Sequence, residues 1–203
     1  MSFYNDRVVP WLIDKTMRQQ LFLPYRQNAV ARAEGHVLEI GIGPGLNLAL
    51  YPSAVTEVVG IEPSEKLLQI TRRNASAIPF RVELVEGSAE KLPFEDASFD
   101  TVVSTWTMCS IPDVSAALNE MHRVLKPGGR LLFVEHGLSP DKGVRWWQDH
   151  LNSPWRCLAG GCNLNRSIPT LVQAAGFHLD HLETGYATGP KPLAYLFQGS
   201  ARA

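Results

Sequence analysis

The stretch VLEIGIGPG, residues 37–45, constrains the fold of this chain more than any other. An apolar run ends in an acidic residue, and Gly41, Gly43 and Gly45 follow at alternate positions. A short continuous apolar run is typical of a strand that is buried on both faces of a sheet. Glycine has no Cβ and tolerates positive φ, so such a turn lets the backbone come close to a ligand. The stretch predicts a buried strand whose following turn contacts a small molecule.

Further strand-like runs follow and alternate with helical patterns. They lie at residues 57–62, 80–87, 99–105 and 130–136. Ser64 and Asp113 are suitable N-caps for two of the intervening helices, and the KPGG run at 126–129 ends the second of them. Residues 46–50 have the pattern of another helix start. Because the strand runs are too apolar for a sheet with one wet face, they predict an α/β fold, a parallel sheet with helices on both faces.

The two ends of the chain depart from this alternation. The N-terminal segment has apolar residues at helical spacing, and the tail has two strand-like runs at 176–185 and 192–200, which we expect to pair antiparallel. We expect a single domain over residues 1–203. Its expected parts are a helical lid (1–35), a cofactor-binding core (36–136), a helical segment covering the substrate (137–175) and C-terminal antiparallel strands (176–203).

Composition excludes several classes of protein. The formal net charge is -1 and like charges form no long block. We therefore expect no basic surface that would bind nucleic acid or an anionic membrane. Three cysteines without CxxC spacing indicate a reducing compartment and no structural zinc. The N-terminus carries charges throughout, so we expect no signal peptide, no transmembrane segment and a cytoplasmic protein.

The glycine turn differs from the dinucleotide fingerprint G-x-G-x-x-G. Leu46 stands where the third glycine of that pattern falls, and Pro44 lacks the amide that a pyrophosphate would need. Glu62 ends the second strand about twenty residues on, where an acid accepts hydrogen bonds from a ribose diol. These residues together indicate a ligand that carries a ribose without a pyrophosphate.

Five motifs in register resemble the class I S-adenosylmethionine-dependent methyltransferases. They are E-x-G-x-G-x-G, the acid ending the second strand, GSAEKLPF, SFDTVVS and the helix-KPGG-strand block, and they cover residues 36–136. The resemblance implies a single Rossmann-like domain with a seven-stranded sheet of order 3-2-1-4-5-7-6, in which strand 7 is antiparallel. It also implies S-adenosylmethionine as the cofactor, S-adenosylhomocysteine as its product, and no metal.

The same resemblance implies a set of cofactor-binding residues. Glu39 would hold the methionine amino end, Glu62 the ribose hydroxyls, and Ser88 with Ala89 the adenine. The full set is Glu39, Gly41, Gly43, Gly45, Asn47, Glu62, Pro63, Ser88, Ala89 and Thr105. Two positions depart from the family, because Pro44 stands where threonine or serine is usual and Ser88 stands where aspartate is commoner.

Tryptophans mark the acceptor side of the predicted site. Four of the five fall after the fourth strand or between the fifth strand and the tail, namely Trp106, Trp146, Trp147 and Trp155. As a group they predict an apolar pocket wall and a small apolar acceptor. The fourth-strand motif lacks the Asn/Asp-Pro-Pro-Tyr pattern of enzymes that methylate amino groups, and no proline precedes Cys109 as in cytosine C5 enzymes.

Residues 134–167 resemble the corresponding part of the alkyl thiol S-methyltransferases. The shared features are an EH pair, a tryptophan-bearing helix, a Pro-Trp pair and a G-C-x-L-x-R stretch, and the CS of TMCSIPD also matches. The run VLEIGIGPGLNLALYP equally resembles bacterial phospholipid N-methyltransferases. Peripheral membrane contact and a monomeric or homodimeric state both stay open.

The chemistry of the acceptor favours a thiol. A thiol, with a pKa of about 8.5, needs only modest activation, whereas a phenol, with a pKa of about 10, needs a placed base. His136 and His150 are candidate bases, with His136 as the predicted catalytic residue, and the predicted substrate contacts are Trp106, Cys109, Trp147 and Arg166. We predict S-methylation of a small apolar thiol. The alternatives are N-, O- or C-methylation of a phospholipid or quinone-like acceptor, and a sensor that binds the cofactor without turnover.

Overall fold

The computed structural model describes residues 8–203, and a seven-stranded sheet forms its centre. The strands are β1 (Gly35–Ile40), β2 (Val55–Glu62), β3 (Arg81–Glu86), β4 (Phe99–Thr105), β5 (Leu125–His136), β6 (His178–Tyr186) and β7 (Tyr195–Arg202). Their order across the sheet is β3-β2-β1-β4-β5-β7-β6. Strands β1 to β5 are parallel, and β7 is antiparallel to both of its neighbours. The predicted strand order and the antiparallel seventh strand are confirmed.

Helices connect and flank the strands. They are α1 (Val9–Met17), α2 (Leu23–Val30), α3 (Glu65–Ala75), α4 (Val114–Val124), α5 (Lys142–Leu158), α6 (Ile168–Ala174) and α7 (Lys191–Ala194). The Ser64 side chain accepts a hydrogen bond from Leu67 N at 3.4 Å at the start of α3. Asp113 does the same for Ala116 N at 3.0 Å at the start of α4. Both predicted N-caps are confirmed.

Apolar residues are buried on both faces of the sheet. Leu38 and Val102 belong to one core cluster, with Leu118 of α4, and their chain neighbours Val37 and Val103 belong to the other. Successive side chains of a strand point to opposite faces. A strand that is covered on both faces must therefore read as a continuous apolar run, which is the pattern that the sequence shows.

Two predicted boundaries were wrong. Residues 46–50 form only a short 3-10 turn at Leu48–Leu50, because Tyr51 precedes Pro52 and takes an extended conformation with φ -63° and ψ 136°. Strand β5 begins at Leu125, so the KPGG run lies inside the strand and not before it. The register shifts between Phe99 and Thr101 opposite this run, and Gly128 has φ 78°, so the strand accommodates the run as an irregularity.

The N-terminal helices lie across the carboxyl ends of the strands, where α1 covers part of a cavity. Residues 1–7 of the predicted lid lie outside the described residues. Within residues 8–203, every helix is too short or too polar to cross a membrane.

Candidate cofactor and acceptor site

A cavity of about 950 Å³ opens at the carboxyl ends of β1, β2, β4 and β5. The turns after these strands form its floor, and apolar side chains of α1 and α5 cover it, including Leu12, Ile13, Trp155 and Leu158. Its volume lies at the upper end of the range of small-molecule sites. The cavity is therefore large enough for two small ligands side by side.

The three glycines of the first turn have different structural roles. All have positive φ, 61° at Gly41, 55° at Gly43 and 75° at Gly45. A Cβ at Gly41 would lie 2.4 Å from Thr107 Cγ2, and one at Gly45 would lie 2.8 Å from Thr71 Cγ2. A Cβ at Gly43 would meet no described atom closer than 3.8 Å. Packing requires the outer two glycines, whereas Gly43 presents bare backbone to the cavity.

Glu62 is held at the cavity wall by two backbone donors. Its Oε2 accepts from Gly43 N at 3.2 Å, and its Oε1 accepts from Ser64 N at 3.0 Å. The residue is 7% exposed, and burial raises the pKa of its carboxyl group. The two amides fix the carboxylate next to the glycine turn.

A buried polar network lies behind the same turn. Glu39 accepts hydrogen bonds from Tyr51 Oη and Asn47 Nδ2, both at 2.8 Å. Asn47 Nδ2 also contacts Thr105 Oγ1 at 3.0 Å. Burial raises the pKa of Glu39 to about 7, although both hydrogen bonds and nearby Arg26 oppose the shift. The network links the ends of β1 and β4.

Arg26 of α2 completes this network. Its Nη1 donates to Asn47 Oδ1 at 3.0 Å and to Thr105 Oγ1 at 3.3 Å. Its guanidinium carbon lies 5.0 Å from the centre of the Trp106 ring, and its buried Nε has no hydrogen-bond partner among the described residues. Burial lowers the pKa of Arg26, while Glu39 raises it. The cavity wall therefore carries a buried guanidinium with an unused donor.

A cluster of two thiols and an imidazole also lines the cavity. His136 Nε2 lies 2.9 Å from Cys162 Sγ, and Cys162 Sγ lies 3.7 Å from Cys109 Sγ. The contact with Cys109, together with burial, raises the pKa of the Cys162 thiol above its usual range. The third cysteine, Cys157, is exposed. The sequence analysis expected no metal site and did not predict that Cys109, His136 and Cys162 would lie together.

The comparisons with known proteins agree with this architecture. Residues 38–133 match the family model described as "Methyltransferase domain". The thiol S-methyltransferase of Rattus norvegicus is 30% identical over 173 residues, which are 83% of this chain and 70% of that protein. The chain belongs to the class I S-adenosylmethionine-dependent methyltransferases.

A further relative of this methyltransferase and a solved structure differ in what they support. The phosphatidylethanolamine N-methyltransferase of Cereibacter sphaeroides is 37% identical over 111 residues, which are 54% of each chain. The solved structure of a putative methyltransferase from Bacillus halodurans has a TM-score of 0.70 at 21% identity and covers 90% of this chain and 98% of its own. The solved structure supports the fold alone.

Most of the predicted cofactor residues of the methyltransferase line the cavity. These are Gly41, Gly43, Glu62, Pro63, Ser88, Ala89 and Thr105. Glu39, Gly45 and Asn47 lie behind the wall, and the first and last of them belong to the buried network. The sequence reasoning missed Arg26, because no local sequence pattern shows which distant residues the side chain of a helical arginine will contact.

The predicted substrate contacts of the methyltransferase are divided between the cavity and the surface. Trp106, Cys109 and His136 line the cavity, whereas Trp147 is 53% exposed on the outer side of α5. Successive residues of an α-helix point in directions about 100° apart. The buried side of α5 carries Gln148, so the adjacent Trp147 points outward. Trp155, two turns later, lines the cavity instead.

Arg166 and His150 also lie away from the cavity of the methyltransferase. The Arg166 guanidinium donates to the carbonyls of Met108 and Pro112, so it binds backbone and not an acid. His150 is exposed and stacks on Trp146 with ring centroids 4.0 Å apart. Of the two candidate histidines, only His136 reaches the cavity.

Proposed function

We propose that this methyltransferase methylates the sulfur of a small apolar thiol. The observation that carries the proposal is the extent of similarity to the thiol S-methyltransferase of Rattus norvegicus. An alignment over 83% of 203 residues leaves 17%, about 35 residues, outside it. The alignment can therefore begin no later than about residue 36 and end no earlier than about residue 168. It must include both His136 and Cys162. The alignment with the phospholipid enzyme is little longer than the family-model match, so its support for the acceptor side is weaker.

The residues at the glycine turn fit S-adenosylmethionine. In our proposal Glu62 binds the ribose hydroxyls, Gly41 and Gly43 lie beside the ribose and methionine, and Ser88 and Ala89 border the adenine. The fixed carboxylate of Glu62 and the open space at Gly43 support this arrangement. Pro63 would lie beside the ribose, and Gly45 would support the turn from behind.

The methionine end of the cofactor would face the buried network. Its carboxylate would be bound by the guanidinium of Arg26, a residue that lines the cavity. Its amino group would approach Thr105, behind which Asn47 Nδ2 donates to the Glu39 carboxylate at 2.8 Å. A buried guanidinium is well suited to a carboxylate, because charge-assisted hydrogen bonds are the strong ones.

The acceptor would occupy the end of the cavity between Trp106 and Trp155. When bound, the cofactor supplies a methyl group on a sulfonium, and the displaced electron pair stays on the cofactor sulfur. The protein then has to hold the acceptor sulfur in line and exclude water. The apolar side chains of α1 and α5 that line the cavity would bury the acceptor's hydrocarbon, and its sulfur would approach the cluster of Cys109, His136 and Cys162.

The surface around the cavity favours a second candidate, methylation of a lipid or quinone-like acceptor. Large apolar side chains are exposed on the two helices that cover the cavity. They are Trp11, Leu12 and Ile13 on α1, and Trp146, Trp147, Leu151 and Leu158 on α5. Exposed apolar side chains of this kind suit peripheral contact with a membrane, from which an apolar acceptor could enter.

Product analysis with a methyl-labelled cofactor tests the proposal. The purified protein is incubated with an alkanethiol, an aryl thiol, a phenol, a hydroquinone and phosphatidylethanolamine vesicles in parallel, with Glu62→Ala as the control for cofactor binding. We expect label in a thioether. Label confined to the phospholipid or the hydroquinone would replace the thiol with the second candidate.

A further inference from the structure

The cluster of Cys109, His136 and Cys162 has the dimensions of a zinc site. The three ligand atoms lie within 4.8 Å of one another, and the two sulfurs are 3.7 Å apart. Tetrahedral zinc with Zn–S bonds of about 2.3 Å places two thiolate sulfurs about 3.8 Å apart. The cysteines therefore already have the required separation. The His136 ring, whose Nε2 is 2.9 Å from Cys162 Sγ, would withdraw by about 0.7 Å to reach the spacing set by a Zn–N bond of about 2.0–2.1 Å.

The three ligands come from segments that hydrogen bonds hold together. Cys109 follows β4, His136 ends β5, and Cys162 lies between α5 and α6. Asn163, next to Cys162, donates to the Cys109 carbonyl from its backbone N at 2.8 Å and from its Nδ2 at 2.9 Å. Leu138 N donates to the Arg166 carbonyl at 2.9 Å. These hydrogen bonds hold the three segments together without requiring a metal ion.

The donor set and its surroundings indicate a site with a free coordination position. Two thiols and an imidazole are the ligand types that zinc prefers, and structural zinc sites have four protein ligands whereas catalytic ones have three. Cys109 is 2% exposed and His136 is 8% exposed, yet all three residues line the cavity. A fourth position on such an ion would face the space that the proposed function assigns to the acceptor.

We propose that Cys109, His136 and Cys162 bind a zinc ion whose open position binds the acceptor thiol as a thiolate. This inference rests on the proposed S-methylation. Zinc displaces the protons of the two cysteine thiols, and the acceptor releases its S–H proton to solvent on binding. Two thiolates balance the charge of Zn²⁺, so the acceptor thiolate adds one negative charge. Arg166, whose guanidinium donates to the carbonyl of Met108 next to Cys109, supplies a positive charge close to the cluster.

Zinc would activate the acceptor thiol more strongly than the imidazole of His136 alone. A free thiol offers only a few per cent of thiolate at neutral pH, whereas a thiol that coordinates a metal is deprotonated outright. The alternative use of the two cysteines is a disulfide, which needs an S–S distance of about 2.05 Å and thus a closure of about 1.7 Å from the observed separation.

Cobalt binding tests the site without cofactor or turnover. Metal-free full-length protein is titrated with Co²⁺, and we expect one equivalent to give thiolate-to-cobalt charge transfer and tetrahedral d–d bands that Zn²⁺ abolishes. Cys109→Ser and Cys162→Ser should each weaken binding at least about a hundredfold. Cys157→Ser, at the exposed cysteine, should leave binding unchanged. Calorimetry with S-adenosylmethionine confirms that each variant is folded.

A second set of measurements separates this inference from the proposed function. An alkanethiol added to the cobalt protein should shift the d–d bands, which a merely structural metal would not do. The zinc site would be overturned if the cobalt bands were absent or if they survived in the Cys109→Ser/Cys162→Ser double variant. A disulfide between Cys109 and Cys162 in protein purified without oxidant would also overturn it. Full S-methylation by metal-free protein would overturn the role of zinc and leave the proposed function standing. A thiol-dependent shift without methylation of any thiol would support the site and remove the proposed function.

Discussion

The guanidinium of Arg26 on α2 lies 3.3 Å from the hydroxyl of Thr105 at the end of β4, although 79 residues separate them in the chain. This contact joins an N-terminal helix to the floor of the cavity and places a positive charge beside the glycine turn. The N-terminal helices therefore contribute a polar group to the site as well as an apolar cover.

The first prediction concerns Arg26 itself. Arg26→Ala should weaken binding of S-adenosylmethionine by roughly ten- to a hundredfold, because a hydrogen bond to a charged group contributes about 1.5–3 kcal/mol. Binding of the decarboxylated cofactor should change little. Calorimetry measures both affinities, and Arg32→Ala, at an exposed arginine just after α2, serves as the control. Equal losses with the two cofactors would contradict a contact between Arg26 and the carboxylate.

Glu62 is the subject of the second prediction. Glu62→Ala should weaken cofactor binding at least about tenfold, since it removes a buried carboxylate that would accept from the ribose hydroxyls. Glu57 lies on the same strand outside the cavity and pairs with Arg81 at 3.1 Å, so Glu57→Ala is a matched control. Unchanged affinity in Glu62→Ala, measured by calorimetry, would remove Glu62 from the binding site.

The third prediction distinguishes two tryptophans of α5. Trp155→Ala should raise the KM for the thiol about tenfold or more and leave cofactor affinity nearly intact, because the ring lines the cavity that we assign to the acceptor. Trp147→Ala should change neither quantity with a short-chain thiol, because that ring is exposed. Steady-state kinetics and calorimetry test both variants, and the reverse pattern would place the acceptor elsewhere.

Glu39 predicts a pH dependence of stability. Burial raises its pKa in the folded protein from 4.5 to about 7, so between these values the folded state binds more protons than the unfolded state. The contribution of Glu39 to stability is therefore fully present below about pH 4.5 and falls as the pH rises to about 7, by roughly 3 kcal/mol.

Urea denaturation of Glu39→Gln measures this contribution. The variant should lose less unfolding free energy than the unaltered protein between pH 5 and pH 8, whereas Glu57→Gln should behave as the unaltered protein does. The same pH slope in Glu39→Gln and in the unaltered protein would mean that Glu39 keeps an ordinary pKa when folded.

The exposed apolar side chains of α1 and α5 give the fifth prediction. Replacing Trp11 and Trp147 together by serine should reduce co-sedimentation with phospholipid vesicles several-fold, because both rings are more than half exposed on helices that cover the cavity. The rate with a short, water-soluble thiol should be unaffected. Vesicle binding that survives the double substitution would assign membrane contact to another surface.

Local sequence signals predicted the parts of the fold that depend on short-range physics. The apolar runs, the glycine turn and the caps at Ser64 and Asp113 correspond to strands β1–β5 and helices α3 and α4. The family resemblance supplied the strand order, which the structure confirms. The exceptions at residues 46–50 and 125–129 occurred where a proline or a glycine changed an element's boundary.

The sequence by itself determined the class of fold and the position of the glycine turn, and it predicted an apolar acceptor side. Those features follow from residue periodicity, from the stereochemistry of glycine, and from the positions of Gly41 and Glu62 at the ends of neighbouring strands. Only the tertiary structure decided that Arg26 joins the polar network, that Trp155 and not Trp147 lines the cavity, and that Cys109, His136 and Cys162 converge. Packing brings together segments that are far apart in the chain, and no local pattern encodes where such segments meet.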